Sequence, residues 1–436
     1  MKAKQYQRSS SILNSRIVRV GNEKTRIGKQ MKAQKSIISL MHSNENINFY
    51  ICTSNKNEHT MNISSFKSGK LAQRLQYKSF EPTLIHTQWH LDNDTVTMLL
   101  SQADQKLGEL NAFSQLIPDV DFFIKMHVLK EGTKSSRIEG TQTNIDEAVQ
   151  KEEYINPEKK DDWQEVQNYV KAMNTAIAAL KDLPLSNRLL KNTHKIILQG
   201  VRGKHKKPGE FRISQNWIGG SSLADAKFIP PHQEGVLEYM SDLEKFIHSP
   251  NSNLPHLIKI AILHYQFETI HPFLDGNGRI GRLLITLYLV NSGLLVKPTL
   301  YLSDFFEKNK EHYYDNLTLV RTKNDLVQWL KFFLEGIRVT AENSIQTFKE
   351  IIALRASVEN KIITLGKKQV LAKNVLQYLY SQPITDMQSI ASATNVSVPT
   401  ISRLLNDFVS LEILVERTGY KRNRVFAFEQ YLKLFR

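Results

Sequence analysis

Between residues 61 and 436 the apolar positions recur mainly at three- and four-residue spacing. Val96, Leu99, Leu100, Ala103, Leu107 and Leu110 predict a helix capped by Asp92 or Asp94. A second helix is expected from about Asp119 through Phe122, Phe123, Met126 and Leu129 toward Ile138, with Gly140 as its stop. Helical patterns follow over 163–180, 187–198, 235–247, 255–269, 279–290, 308–320 and 326–360. Extended segments are few. Residues 82–89 mix apolar and polar side chains, 211–229 reads as a hairpin around Gly219-Gly220, and 415–428 reads as a pair of strands. The expected fold class is mainly α, with one small β-hairpin in its core and a separate C-terminal domain.

The 436 residues are 41% hydrophobic and 23% charged, which excludes a collagenous, wholly disordered or disulfide-stapled chain. One cysteine, Cys52, forms no internal bridge and no cysteine-based zinc site. No run of about 18 apolar residues follows the basic N-terminus, so neither a membrane span nor a secretory signal is read and a cytoplasmic location is expected. The net charge of +15 is uneven: residues 1–60 carry +8, with Ser and Asn frequent and no helical stripe. That segment is expected to be a solvated basic arm, able to meet an anionic surface, or an upstream extension with Met61 as the start. The domains expected after it are a helical region over 61–150, a core over 151–345, a helical linker over 346–370 and a last domain over 371–436.

The segment His271-Pro272-Phe273-Leu274-Asp275-Gly276-Asn277-Gly278-Arg279-Ile280-Gly281-Arg282 carries the chemistry. It links an apolar helix to another, so it opens onto a helix N-terminus. Gly276, Asn277 and Gly278 tolerate backbone angles that other residues avoid, and successive N–H groups can then converge on an anion. The helix dipole adds to this, as do Arg279 and Arg282 at phosphate-matching geometry. Asp275 beside such a nest would repel phosphate unless a cation lies between them, and Mg²⁺ is the expected bridge. His271 titrates near neutrality and could take a proton from an incoming hydroxyl.

Two other readings compete. Gly276-x-Gly278-x-x-Gly281 matches the dinucleotide fingerprint, but a helix precedes it where that fingerprint needs a strand. His264, Glu268 and His271 share a helical face, yet no HExxH or second Glu-x-x-His completes a metal site, so His264 is read as a core histidine.

The twelve residues resemble the signature of Fic-domain enzymes, His-x-Phe-x-Asp/Glu-Gly-Asn-Gly-Arg-x-x-Arg, at every fixed position. The segments 208–212, 217–220 and 228–231 are similar to that family's flap region, and the resemblance spans roughly 61–345. It implies a helical core that transfers AMP from ATP to a Ser, Thr or Tyr hydroxyl of a protein, or of the enzyme itself, with release of pyrophosphate. By the same resemblance His271 would be the general base and Asp275 the Mg²⁺ ligand. Gly276, Asn277, Gly278 and Arg279 would hold the α- and β-phosphates, with Ile280 and Gly281 in the same nucleotide-binding run and Arg282 near the γ-phosphate. Tyr313 and Tyr314 resemble a tyrosine pair lining the nucleotide pocket, with helix packing as their alternative. Ile218 and Gly219 would belong to a flap that registers the target segment by strand addition. Related scaffolds use other nucleotides or remove AMP, and those remain the alternatives.

Ser135-Ser136-Arg137-Ile138-Glu139-Gly140 resembles the family's inhibitory motif, Ser/Thr-x-x-x-Glu-Gly/Asn. Ser135, Glu139 and Gly140 are its marked positions. Glu139 paired with Arg282 would remove the group that orients the γ-phosphate.

Residues 371–436 read as a winged helix-turn-helix. Residues 387–394 and 398–408 would be its helices, Ser397, Thr400, Ser402, Arg403 and Asn406 would face outward, and Lys421, Arg422 and Arg424 would line the wing. The net charge here is only +3. DNA and protein partners both fit this region, which makes a DNA-binding regulator the rival of another class; a homodimer is also compatible.

Overall fold

In the computed structural model, residues 60–117, 119–249, 253–420 and 423–436 are described. The expectations for the basic arm, Cys52, Lys421 and Arg422 lie outside these residues. The described residues form one compact unit, and it is mainly helical.

The chain enters through β1 (Met61–Asn62), paired parallel with β4 (Trp89–His90). Between them β2 (Gly69–Gln73) and β3 (Lys78–Pro82) form an antiparallel hairpin that the sequence pattern did not announce, being short and half exposed. Helix α1 (Asp94–Leu116) follows. Its cap is Asn93, whose side chain accepts the Val96 amide, rather than either neighbouring aspartate. Helix α2 (Val120–Ile138) ends at Glu139, and Gly140 then takes φ +107°, a conformation without cost only for glycine. After the short α3 (Ile145–Ala148), helices α4 (Lys160–Ala179), α5 (Asn187–Ile197) and α6 (Val236–His248) flank the centre.

That centre is a helix pair. In α7 (His256–Ile270) every residue from Leu257 to Ile270 is buried, and α8 (Asn277–Asn291) is buried over nearly its whole length. A helix apolar all round must be enclosed by others, and here the outer helices enclose both. Among the polar side chains of α7, Gln266 donates to the Thr83 carbonyl at 2.9 Å and Lys259 to that of Ser249 at 3.2 Å. The chain continues through α9 (Ser303–Lys308), α10 (Lys310–Lys323) and the long α11 (Leu326–Ile363), which packs along α1. The expected helix over 308–320 is α10, with the short α9 before it. Trp329 of α11 is fully buried and donates its indole N–H to the Ala261 carbonyl of α7 at 2.9 Å.

The last segment runs α12 (Gln369–Ser381), β5 (Ile384–Asp386), α13 (Met387–Thr394), α14 (Val398–Ser410), β6 (Val415–Glu416), β7 (Val425–Ala427) and α15 (Glu429–Leu432), with strand order β5-β7-β6. It packs onto α2 and α3 rather than standing apart. Phe123 meets Tyr380 edge-on at 5.1 Å, and His127 meets Phe435 at 5.1 Å. Asp146 binds Arg417 and Arg436, and Lys151 binds Asp386.

Three buried histidines tie this fold to pH. Burial holds His127 and His264 down to about 3 and His194 to about 4. Each is neutral in the folded state and takes up a proton near pH 6.5 once unfolded, so the unfolded state binds more protons as pH falls. Burial raises Glu268 to about 7 and lifts Glu131, Asp242 and Asp104, which oppose this trend, while His271, held to about 3, and the lowered carboxyls of Asp146, Asp386 and Glu139 add to it. The stability these histidines lend is present above pH 6.5 and is lost on acidification toward their folded values. The melting temperature should therefore fall steadily from pH 7 to pH 5, and His127→Leu should flatten that slope in a thermal-denaturation series.

Candidate functional site

The motif loop is pinned from several sides. His271 closes α7 in the left-handed conformation, φ 50° and ψ 60°, and its amide still donates to the Phe267 carbonyl. Asn277 locks the turn: its side chain accepts the Phe273 amide and donates to the Phe273 carbonyl, both at 2.8 Å. Gly276 at φ +74° precedes the first helical turn of α8. The amide of Ile280 is the first to reach back inside that helix, to the Gly276 carbonyl. The amides of Asn277, Gly278 and Arg279 therefore lead the helix without intrahelical acceptors.

Three residues given no individual role in the sequence reading, His194, Arg212 and Asn216, fasten this loop. The His194 ring stacks on Phe273 at 3.8 Å. Its Nδ1 accepts the Gly209 amide at 2.8 Å, so Nε2 carries the proton and donates to the Asp275 carbonyl at 2.9 Å. Arg212, 2% exposed, donates to the carbonyls of His271, Pro231, Ile270 and Ser214. Asn216 adds bonds to the His271 and Phe273 carbonyls. A buried guanidinium has to find acceptors, and here they belong to the motif loop and to the chain leading into 217–229. Nothing in one sequence separates such an arginine from an exposed one.

Residues 217–229 hold less strand than expected. Ile218 and Phe228 form an isolated antiparallel bridge, and beyond it Gly219 and Gly220 take positive φ around a polar tip. The Phe80 amide of β3 donates to the Ile229 carbonyl at 2.9 Å, fastening one side of this loop. Ile213 and Trp217 remain exposed beside it.

Charge is distributed unevenly around the nest. Burial pulls His271 down to about 3, with Arg321 acting in the same direction, so its imidazole is neutral at pH 7. Its Nδ1 is buried without a hydrogen bond and lies 4.0 Å from Glu268. Arg279 pairs with Glu165 at 3.1 Å and with Asp275 at 3.6 Å. Arg282, its side chain 1% exposed, is held entirely by the end of α2. Its Nε donates to Ser135 Oγ at 2.9 Å, and Nη2 donates to the Ser135 carbonyl at 2.9 Å and to Glu139 Oε1 at 2.7 Å. Burial alone would raise the Glu139 carboxyl; Arg282 outweighs it, and the group is held below its ordinary value. Lys310 caps the same helix end by donating to the Ile138 carbonyl at 2.7 Å. Glu139 also lies over the start of α8, for a Cβ on Gly278 would fall 2.2 Å from Glu139 Oε1.

Three expected site residues sit elsewhere. Ile280 is fully buried in the core with its amide spent on Gly276, so its side chain meets no ligand. Gly281 packs against Glu268, and its carbonyl accepts from His264 Nδ1 at 2.9 Å. That fixes the His264 tautomer, and Nε2 accepts the Tyr313 hydroxyl at 2.8 Å. Tyr313 is thus a packing residue, stacked on Phe306 at 4.5 Å and 1% exposed, whereas Tyr314 is 40% exposed.

Among the described residues no group of three or more His, Cys, Asp or Glu could hold a metal alone. Asp275 is a partly exposed carboxylate beside the free amides, and Mg²⁺ is commonly held by one such carboxylate together with substrate phosphates.

Comparison with known proteins agrees with this geometry. Residues 97–178 match the profile of the Fic/DOC family N-terminal region, and residues 184–289 match that of the Fic/DOC family. A protein adenylyltransferase Fic of Aedes aegypti is 31% identical over 128 residues, covering 29% of this chain and 23% of that protein. A protein adenylyltransferase fic-1 of Caenorhabditis briggsae is 29% identical over 197 residues, covering 42% of this chain and 34% of that protein. The chain thus spans between a quarter and a third of the length of these relatives. A crystal structure of a Fic family protein from Desulfovibrio desulfuricans G20 is 20% identical, covers 78% of this chain and 97% of that one, and superposes with a TM-score of 0.49. The complete twelve-residue signature lies at the junction of the two buried helices, inside a region, residues 97–178 and 184–289, that is similar to the Fic/DOC family.

Proposed function

We propose that the protein is an adenylyltransferase that moves AMP from ATP to a hydroxyl of a protein substrate, itself included, and that Glu139 restrains it. The observation that carries this reading is the meeting of a neutral His271 with the leading amides of α8 and two arginines. A nucleophile, a phosphoryl group and a developing negative charge each find a matching group there. His271 takes the proton of the acceptor hydroxyl as its oxygen bonds to the α-phosphorus. The bond from that phosphorus to the bridging oxygen breaks, and pyrophosphate leaves. The amides of Asn277, Gly278 and Arg279 hold phosphate oxygens, and Arg279 keeps Asp275 beside them. Mg²⁺, held by Asp275 and the phosphates, would neutralise part of their charge. Ile213, Trp217 and the loop carrying Ile218 and Gly219 offer an apolar and backbone surface for the target segment.

Arg282 cannot serve a terminal phosphate while Ser135 and Glu139 occupy it. ATP would then sit with its α-phosphorus out of line, and a misplacement of about 1 Å costs on the order of a hundredfold in rate. The carboxyl of Glu139 is charged throughout the neutral range, so the restraint is constitutive until Glu139 moves.

A second reading concerns the last segment. The exposed face of α14 carries Ser397, Thr400, Arg403 and Asn406 at three-residue spacing with no acidic residue among them, and Arg424 donates to Asn406 at 3.0 Å. With strands β6 and β7 beside it, this supports a winged helix-turn-helix able to meet a DNA backbone.

Incubation with Mg-ATP and intact mass spectrometry tests the first reading. Glu139→Gly should gain AMP, about 329 Da per modified hydroxyl, about a hundredfold faster than wild type, and adding His271→Ala should abolish the gain. No mass gain in Glu139→Gly, with or without candidate targets, would reject transfer of AMP. Ser135→Ala leaves Glu139 in place but removes one hydrogen bond to Arg282, worth about 1–2 kcal/mol. Its rate should lie between the two, roughly tenfold above wild type. For the second reading, a mixed-sequence duplex should be retarded in a gel at low salt. The dependence on salt should weaken when Arg403 and Arg424 become Ala, and no retardation at any salt would reject it.

A further inference from the structure

On α2, away from the motif loop, a cleft of 320 Å³ lies between α2, α9 and α11. Its size falls at the lower end of small-ligand pockets, about 300–1,000 Å³. Two nitrogen groups there lack partners. His127 is 7% exposed, its ring lies between Phe348 at 4.8 Å and Phe435 at 5.1 Å, and its Nε2 is buried without a hydrogen bond. Lys130, one turn on, has no hydrogen-bond or ion-pair partner among the described residues. Burial lowers its pKa, and Asp304 attracts it only from beyond contact distance. A buried polar atom such as His127 Nε2 is rarely left unmatched, and Lys130 stands half-buried beside it.

The cleft is positive on balance. Lys134 and Lys308 also line it, and both lean on the same Asp304, at 3.2 and 2.8 Å, with Lys134 reaching Glu307 as well. Glu131 is engaged elsewhere, accepting from the Ser303 amide, the Ser303 hydroxyl and the Tyr169 hydroxyl. The facing wall of α11 presents Thr340, Asn343, Ser344 and Thr347, and none of the four side chains bonds another described residue. Threonine and serine inside helices commonly turn back onto the preceding carbonyls, as Thr133 does here. A row that does not is available to an entering molecule, and the Phe305 ring offers an apolar floor.

We propose that this cleft binds a small phosphorylated organic molecule, its phosphate taken by Lys130 and His127 and its hydroxyls by the row on α11. The ligand braces α2 against α9 and α11. The last turn of α2 presents Ser135 and Glu139 to Arg282, so occupancy holds the restraint in place. This regulatory consequence rests on the transferase reading; the binding site does not.

Ribose 5-phosphate is a probe of suitable size and chemistry. Calorimetric titration of the full chain should give one site, weakened at least tenfold in Lys130→Met, which keeps the stem and loses the charge. Asn343→Trp, filling the mouth from the other wall, should weaken it equally. Absence of binding at concentrations of about 1 mM and above, or unchanged affinity in either variant, would overturn the site. Ribose 5-phosphate should also slow auto-modification of wild type and leave the Glu139→Gly rate unchanged. An unaffected wild-type rate at saturation would overturn the regulatory role. Failure of the transferase reading would register separately, as a Glu139→Gly protein that gains no mass while the titration still decides the site.

Discussion

A guanidinium buried to 1% exposure cannot stand without acceptors, and the arrangement of this protein turns on how Arg282 is satisfied. Arg282 lies one turn into α8, a helix enclosed on nearly all sides, so solvent is not an option. Ser135 and Glu139 supply the acceptors from the last turn of α2. That demand sets where α2 must end, and Gly140 at φ +107° allows the chain to leave at that point. It also explains the open face of α8, where a side chain at Gly278 would collide with Glu139. In the proposed reaction a nucleotide phosphate would be the other group to satisfy the same arginine, and substrate and restraint would then compete for one cation.

The remainder of the structure holds the stage for that competition. His194, Arg212 and Asn216 bind backbone carbonyls of the motif loop rather than any ligand. Their work is conformational: each carbonyl they occupy is one the loop would otherwise have to leave unpaired at the end of a buried helix. Asn277 does the same from within the motif, so its invariant-looking place in the signature reflects the turn and its amide rather than a side chain reaching for phosphate.

Helix α2 is also the meeting place of the molecule. Its C-terminal turn meets Arg282, its middle lines the cleft with Lys130, and its side chains Phe123 and His127 receive the rings of the last segment. Asp146, shortly after it, is bound by Arg417 and by the C-terminal Arg436. Events at the cleft or at the last segment therefore bear on the element that carries Glu139 without any need for a distant path of communication.

Local rules made much of this legible in the sequence. Helical spacing gave most helices to within a few residues, because burial on one face repeats every three or four positions whatever the neighbours are. The motif was legible because its chemistry is contiguous: glycines, an aspartate and two arginines within twelve residues need no fold to be seen together. The hairpin β2–β3 escaped because its strands are short and half exposed, and the inward-facing side chains of Ile280 and Tyr313 were not legible because sequence does not say which face of a helix is turned inward. Only the tertiary structure decided that Ser135 and Glu139 reach Arg282 across 147 and 143 residues, and that Arg212 is buried under the motif loop with its guanidinium on backbone carbonyls. Each of these is a long-range pairing of charges or polar groups. Its free energy depends on burial, and burial is a property of the packed chain rather than of any residue in it.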